Sequence, residues 1–371
     1  MIRVSAPGKL FIAGEWSVLS LGNPGIVAAV NKRVFAELED SEDEFVHLSI
    51  RDFNIGDMKA SRTGKSLHFV RELNEQEIRD TLFAKSAIEA VMAYQGDLKP
   101  VKITTWGEET TVRTPEGVRK VGFGSSAASV VAIVSALLKH SGHDIERPES
   151  KEIIYKLSAI AHYIAQGKVG SAFDVAASTY GGVFIYKRFD PEWLSYRLEN
   201  GSVREAVKSE WPGFMVEPLG IPEGMDLIVG WTKKSASTSP MVKRINEWRG
   251  SDPEGKKIFD RISLLVNDLI SAWKSANKEK IMDCLRKNEE YLRELTQKSG
   301  VEIETPKLRE LSEIANRNGG AGKLSGAGGG DCGIAVSFDP GVTAKIRNEW
   351  ENNGISPIDA DIYPYGVKMH A

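Results

Sequence analysis

Eight residues in the first half of the chain, Val121-Gly122-Phe123-Gly124-Ser125-Ser126-Ala127-Ala128, run directly into its most apolar helix-length stretch, residues 127–138. Two glycines one residue apart let the backbone turn tightly and approach another group closely, and the serines suit the cap of a helix that starts at once. Such a helix presents free N–H groups and the positive end of its dipole. The pattern admits two readings, a plain capped helix and a phosphate cradle, and both require a tight loop leading into a buried helix. One anion contact of this kind contributes about 0.3–2 kcal/mol, so a polyphosphate meeting several aligned N–H groups would be held usefully.

Two other phosphate loops are excluded. The dinucleotide fingerprint places its last glycine where Ala127 stands, which alanine can fill, but no early βαβ repeat surrounds the segment. Gly64-Lys65-Ser66 resembles the tail of a P-loop, yet that motif needs a glycine five positions before Gly64, where the chain has Lys59. It reads as a solvated turn.

The loop needs a scaffold, and 371 residues are enough for two domains. β-Branched and aromatic runs predict strands at 3–4, 9–13, 25–38, 45–51, 67–70, 101–106, 183–189, 226–232 and 333–338. Helices are expected at 84–94, 126–140, 148–166, 241–248, 253–276, 278–298, 306–318 and 342–352, with Pro148 opening the third and Gly167 closing it. Strands dominate the first half and long amphipathic helices the second. The expected division is 1–215 and 216–371, with the connection near Pro212–Glu223.

The formal net charge is −3, which argues against bulk attraction to nucleic acid or an acidic membrane and leaves any anionic ligand dependent on locally placed cations. Cys284 and Cys332 are far apart and the six histidines are scattered, so neither a disulfide framework nor a zinc hydrolase site is expected. Residues 127–138 are too few to span a bilayer, and the N-terminus lacks the pattern of a signal peptide, which predicts a cytoplasmic protein.

Four further segments carry chemistry. Ser325-Gly326-Ala327-Gly328-Gly329-Gly330-Asp331-Cys332 has more glycines than a hairpin needs, and their entropic cost implies tight turning or close ligand approach. Lys9, behind Ser5-Ala6-Pro7-Gly8, could bring an ammonium to a phosphate, though alone it is a lysine beside a turn. Asp174 precedes the small-residue segment 175–178, where a carboxylate either caps the helix or orients an acceptor hydroxyl. Ser235-Ala236-Ser237-Thr238-Ser239-Pro240, among Lys233, Lys234, Lys243 and Arg244, is either an exposed polar loop or a second anion site.

Pro7-Gly8-Lys9, Gly122–Ala128 and Lys323–Gly330 occur together and in the order of the three motifs of the GHMP kinases, which this chain resembles from about Val4 to Phe338. Gly14-Glu15-Trp16, the run Ala165–Ser171 before Phe173-Asp174, Val229-Gly230-Trp231-Thr232 and Ser325–Cys332 are most similar to the phosphomevalonate kinases of that family. The resemblance implies an α+β fold, with an N-terminal domain like ribosomal protein S5 and a ferredoxin-like C-terminal domain. It implies ATP with Mg²⁺ at Gly122, Phe123, Gly124, Ser125, Ser126, Ala127 and Ala128, with Ser126 as a metal ligand. Lys9 and Asp174 would be the catalytic pair, and Lys120, Ser171, Ser235, Ser237, Thr238, Gly326, Ala327, Gly328 and Gly329 would bind the acceptor.

The implied reaction is phosphorylation of 5-phosphomevalonate by a monomer or homodimer, with no nucleic acid or membrane partner. The alternatives are another enzyme of the family, such as mevalonate kinase or diphosphomevalonate decarboxylase, and a non-catalytic ATP-binding sensor. Two departures stand out. Ala172 occupies the position of a family glycine, and no carboxylate lies between Glu152 and Asp174, where mevalonate kinases carry a glutamate metal ligand.

Overall fold

The computed structural model of the chain describes residues 1–108, 111–114, 117–168, 170–234 and 238–370, with backbone alone for 111–114 and 117–120. The first half contains β1 (Ile2–Ala13), β2 (Gly25–Asp40), β3 (Val46–Ile50), β4 (Ile55–Thr63), β5 (Ser66–Phe69), α1 (Glu75–Gln95), β6 (Val101–Glu108), β7 (Thr111–Thr114), β8 (Gly117–Lys120), α2 (Ser125–His140), α3 (Pro148–Ala165), α4 (Phe173–Tyr180), β9 (Val183–Lys187), α5 (Pro191–Asn200), α6 (Val203–Lys208) and β10 (Met215–Leu219). The second contains β11 (Asp226–Trp231), α7 (Thr238–Ser251), α8 (Pro253–Lys274), α9 (Lys278–Ser299), α10 (Pro306–Arg317), β12 (Ala321–Leu324), β13 (Cys332–Ser337), α11 (Pro340–Asn352), β14 (Ser356–Ile358) and β15 (Lys368–His370).

A mixed sheet runs β10-β9-β2-β6-β3-β4-β5, with β1 along the other edge of β2 and β15 beside β1. β2 is the spine, and its apolar run at 26–30 follows from its position. Val27 and Ala29 face a core shared with α1–α4, while Ile26, Ala28 and Val30 face a second core shared with the C-terminal lobe. A strand covered on both faces has no reason to alternate apolar with polar residues. β1 is continuous where two strands were expected, because a register shift between Pro7 and Gly8 absorbs the residue that cannot donate to the ladder.

The second sheet is antiparallel, ordered β12-β13-β11-β14. Numbered along the chain this is 2-3-1-4, with helices in the first and last connections, the ferredoxin-like arrangement that was expected. The amphipathic helices α8 and α9 pack on each other, and their apolar faces complete the second core.

Local chemistry explains where elements differ from expectation. α1 starts nine residues before the expected 84, because Asn74 and Glu77 form a reciprocal capping box. β4 was missed, and Gly64 and Lys65 form the turn of its hairpin with β5. Capping by Asp190 and Ser202 starts α5 and α6, which were also unexpected. The division at 215/216 is crossed twice: β10 pairs with β9 in the first sheet, and β15 returns from the C-terminus to pair with β1. Among the described residues no helix is long and apolar enough to cross a membrane.

Candidate active site

Lys9 stands in β1 just after the register shift, and its Nζ donates to Gly122 O at 2.7 Å. Its backbone N–H donates to Phe123 O at 2.8 Å, so strand and loop are joined at two points. This closeness accounts for two glycines. A Cβ at position 8 would lie 2.8 Å from Phe123 O, and one at 124, where φ is +73°, would lie 3.1 Å from Lys9 Cγ. Gly124 is itself the N-cap of α2, and no side chain caps the helix. The serines expected to cap it are instead its first two residues, and among the described residues no side chain accepts at the helix start.

Asp174 stands in the first turn of α4, where Oδ1 accepts from the Val175 N–H at 2.9 Å. Its Oδ2 lies 3.9 Å from His162 Nε2, and that nitrogen is 3.3 Å from Ser126 Oγ. His162 of α3 therefore sits behind both residues. Burial lowers its pKa, opposed in part by the Asp174 carboxylate, so the imidazole is neutral at pH 7. The sequence offered no signal for this role, since a lone histidine in an apolar helix reads as core.

Ala172, in place of the family glycine, adopts a left-handed conformation (φ 57°, ψ 22°) that costs an alanine about 1–2 kcal/mol. The loop is held from behind, where the Tyr186 hydroxyl donates to Ser171 O and Arg188 Nη2 donates to Gly170 O at 3.2 Å.

The C-terminal lobe closes the site. Ser325 Oγ accepts from the Phe11 N–H at 2.9 Å and donates to Phe11 O at 3.0 Å. Behind it, Lys323 and Glu15 form a fully buried ion pair across the lobes. Glu289 of α9 accepts from the Leu324 N–H at 3.0 Å, and burial pushes its carboxyl up to about 8.

These elements enclose a cavity of about 610 Å³. Of the residues singled out from sequence, Lys9, Gly122, Gly124, Ser125, Ser126, Ser171, Asp174, Thr238, Gly326 and Ala327 line it. Phe123, Ala127 and Ala128 do not; their side chains are fully buried in the two cores and anchor the loop from beneath. Gly328 and Gly329 also lie off the cavity, turned onto Ile303: Gly329 N–H donates to Ile303 O at 2.8 Å, and a Cβ at 328 would meet that oxygen at 2.2 Å. Ser235, Ser237 and the side chain of Lys120 lie outside the described residues. The apolar residues Trp16, Val18, Leu19 and Val242 complete the wall, together with Gln166 and Asp331. None was picked as a site residue: Val18, Leu19 and Val242 are apolar side chains with no functional signature until the fold shows what they face, while Trp16, Gln166 and Asp331 lie in the family-like runs without a role assigned to them.

Known proteins share the chain's sequence pattern and fold. Residues 82–182 match the GHMP kinases N terminal domain and residues 273–356 the GHMP kinases C terminal domain. A phosphomevalonate kinase from Streptomyces sp. (strain CL190) is 33% identical, with 95% of each chain covered. The structure of Streptococcus pneumoniae phosphomevalonate kinase in complex with phosphomevalonate and AMPPNP superposes with a TM-score of 0.81 at 26% identity, covering 97% of this chain and 99% of that one. A mevalonate kinase from Thermococcus gammatolerans is 27% identical, covering 99% of this chain and 98% of its own.

Proposed function

The chain belongs to the GHMP kinase family, and we propose that it transfers the terminal phosphoryl group of ATP to the phosphate of (R)-5-phosphomevalonate, giving (R)-5-diphosphomevalonate and ADP. The observation that carries this reading is the junction of Lys9 with the loop at the N-terminus of α2, with Asp174 beside it in one cavity. The polyphosphate would lie on the first-turn N–H groups of α2, with Lys9 at the phosphoryl group in flight. The acceptor would lie along the Ser171–Asp174 wall, with Thr238 across from it. Phe83, Ala84 and Thr105, which share a smaller cavity with Ser125 and Ser126, would take the nucleotide base.

A phosphate acceptor is already largely ionised near neutral pH, since its second pKa is about 6. Little proton abstraction is needed, so positioning and charge neutralisation dominate. Asp174 would orient the acceptor, and the neutral His162 would support Ser126 and Asp174 without adding charge.

Among the described residues no group of three or more His, Cys, Asp or Glu could hold a metal ion by itself. Ser126 Oγ and the Asp174 carboxylate, both facing the cavity, fit Mg²⁺ as the kind of ion that draws its other ligands from phosphates and water. When bound, Mg²⁺ would neutralise charge on the polyphosphate. The assignment is tested by ADP release from ATP with mevalonate, 5-phosphomevalonate and 5-diphosphomevalonate in turn. Turnover restricted to 5-phosphomevalonate is the expected result. Turnover of mevalonate without 5-phosphomevalonate would overturn it.

A further inference from the structure

Behind one wall of the cavity lies a buried cation with no counter-ion among the described residues. Arg188 follows β9 and is 7% exposed. Its Nη1 donates to Leu19 O at 2.9 Å and its Nη2 to Gly170 O at 3.2 Å, and its buried Nε has no hydrogen-bond partner. Leu19 and Gly170 both line the cavity, so the guanidinium sits just behind the wall they form. Among the described residues no carboxylate pairs with it. The titratable groups around it are Tyr155, Tyr163 and Tyr186, and a second cation, Arg249. Lys323, the other deeply buried cation bordering the site, differs in being neutralised by Glu15.

Two backbone carbonyls solvate a guanidinium but do not neutralise it, and an uncompensated buried charge is costly. Arginine keeps its charge at any ordinary pH. Along the chain the wall it backs lies beyond Lys9: β1 runs four more residues, about 13 Å of strand, before the turn that carries Leu19, and Gly170 precedes the Ser171–Asp174 wall. Phosphomevalonate is charged at both ends, with a carboxylate opposite its phosphate. With the phosphate beside Lys9 and Asp174, that carboxylate falls toward Leu19 and Gly170.

We propose that Arg188 supplies the positive charge by which this site selects an acceptor bearing a carboxylate at the end remote from the transferred phosphoryl group. The inference rests on the acceptor orientation proposed above. A carboxylate near this wall is attracted to the buried charge, whereas a neutral tail leaves it unbalanced.

The test compares kcat/KM for 5-phosphomevalonate with that for 3-hydroxy-3-methylbutyl phosphate, the same molecule without its carboxylate, in the wild type, Arg188→Gln and Arg188→Lys. The wild type should prefer the carboxylated acceptor by about 100-fold or more. Arg188→Gln should cut that preference by about tenfold or more, with KM for ATP unchanged, and Arg188→Lys should keep part of it. A residue that only clamps the Leu19 and Gly170 walls would slow both acceptors equally, and that result overturns the proposal. So does a wild type that shows no preference, a measurement that stands even if Arg188→Gln fails to fold. A wild type inert toward 5-phosphomevalonate but active on mevalonate overturns the reaction assigned above instead. The charge is then judged on mevalonate against 3-methylbutane-1,3-diol by the same ratio.

Discussion

The two glycine-rich loops look alike in sequence and work differently in space. In the 122–128 loop, glycine is needed at 122 and 124 because side chains of the site are close: a Cβ would lie 2.8 Å from Asp331 Cβ at 122, and 3.1 Å from Lys9 Cγ at 124. In the 325–331 loop, Gly326 borders the cavity, but Gly328 and Gly330 answer to other stretches of backbone, with Ile303 O at 2.2 Å and Lys234 O at 2.6 Å from a built Cβ. The first loop is shaped by side chains that border the cavity, the second mostly by how the C-terminal lobe closes on itself. Glycine content alone therefore does not mark a ligand contact.

The sharpest way to break this comparison is to remove what the first loop organises. Lys9→Met and Asp174→Ala should each lower kcat by about 10²–10⁴-fold with much smaller effects on thermal stability, and unchanged kcat in both would remove the site assignment. Substituting the glycines themselves should separate the loops. Gly328→Ala combines a positive φ with a clash against backbone, and should cost about 2–4 kcal/mol in a denaturant melt. Gly124→Ala shares the positive φ but meets a lysine side chain instead of backbone, so it should cost less stability than Gly328→Ala and more in kcat. If both act on stability alone, the distinction collapses.

Thr238→Ala should raise KM for the acceptor about fivefold, the scale of one hydrogen bond, with less effect on KM for ATP. The reverse pattern would move the start of α7 to the nucleotide side. The smallest effect concerns pH. Glu289 sits just behind the second loop with its carboxyl raised from 4.5 to about 8, so the folded state holds a proton that the unfolded state has released between those values. Its contribution to stability is therefore greatest below about pH 4.5, falls as pH rises, and levels off above about 8. In melts at pH 5 to 8.5, Glu289→Gln should lose part of the decline in Tm seen in the wild type; an identical slope in both would contradict the burial of an acid there.

Much of this was written locally. Apolar runs, proline at helix starts and capping residues place α2, α3 and α8–α11 within a few residues of their observed bounds. The order of Lys9, the 122–128 loop, Asp174 and the 325–332 loop carried the family resemblance. What stayed illegible was non-local. β10, β14 and β15 are short strands defined by their partners, so nothing in their own residues separates them from loop. The same limit hid the site residues outside the motifs. His162 is an ordinary helical residue until the fold sets it behind Ser126 and Asp174, and Arg188 is an ordinary strand-end cation until Leu19 and Gly170 enclose it.

The 122–128 loop shows where the line falls. Its sequence determined a tight turn into a buried helix, because positive φ and apolar periodicity are properties of consecutive residues. Only the tertiary structure decided that the turn borders the cavity. That depended on Lys9 arriving from β1 and Asp174 from α4, and on the two serines falling inside the helix. Such contacts join residues far apart in the chain, 113 positions for Lys9 and Gly122, and no local preference encodes them.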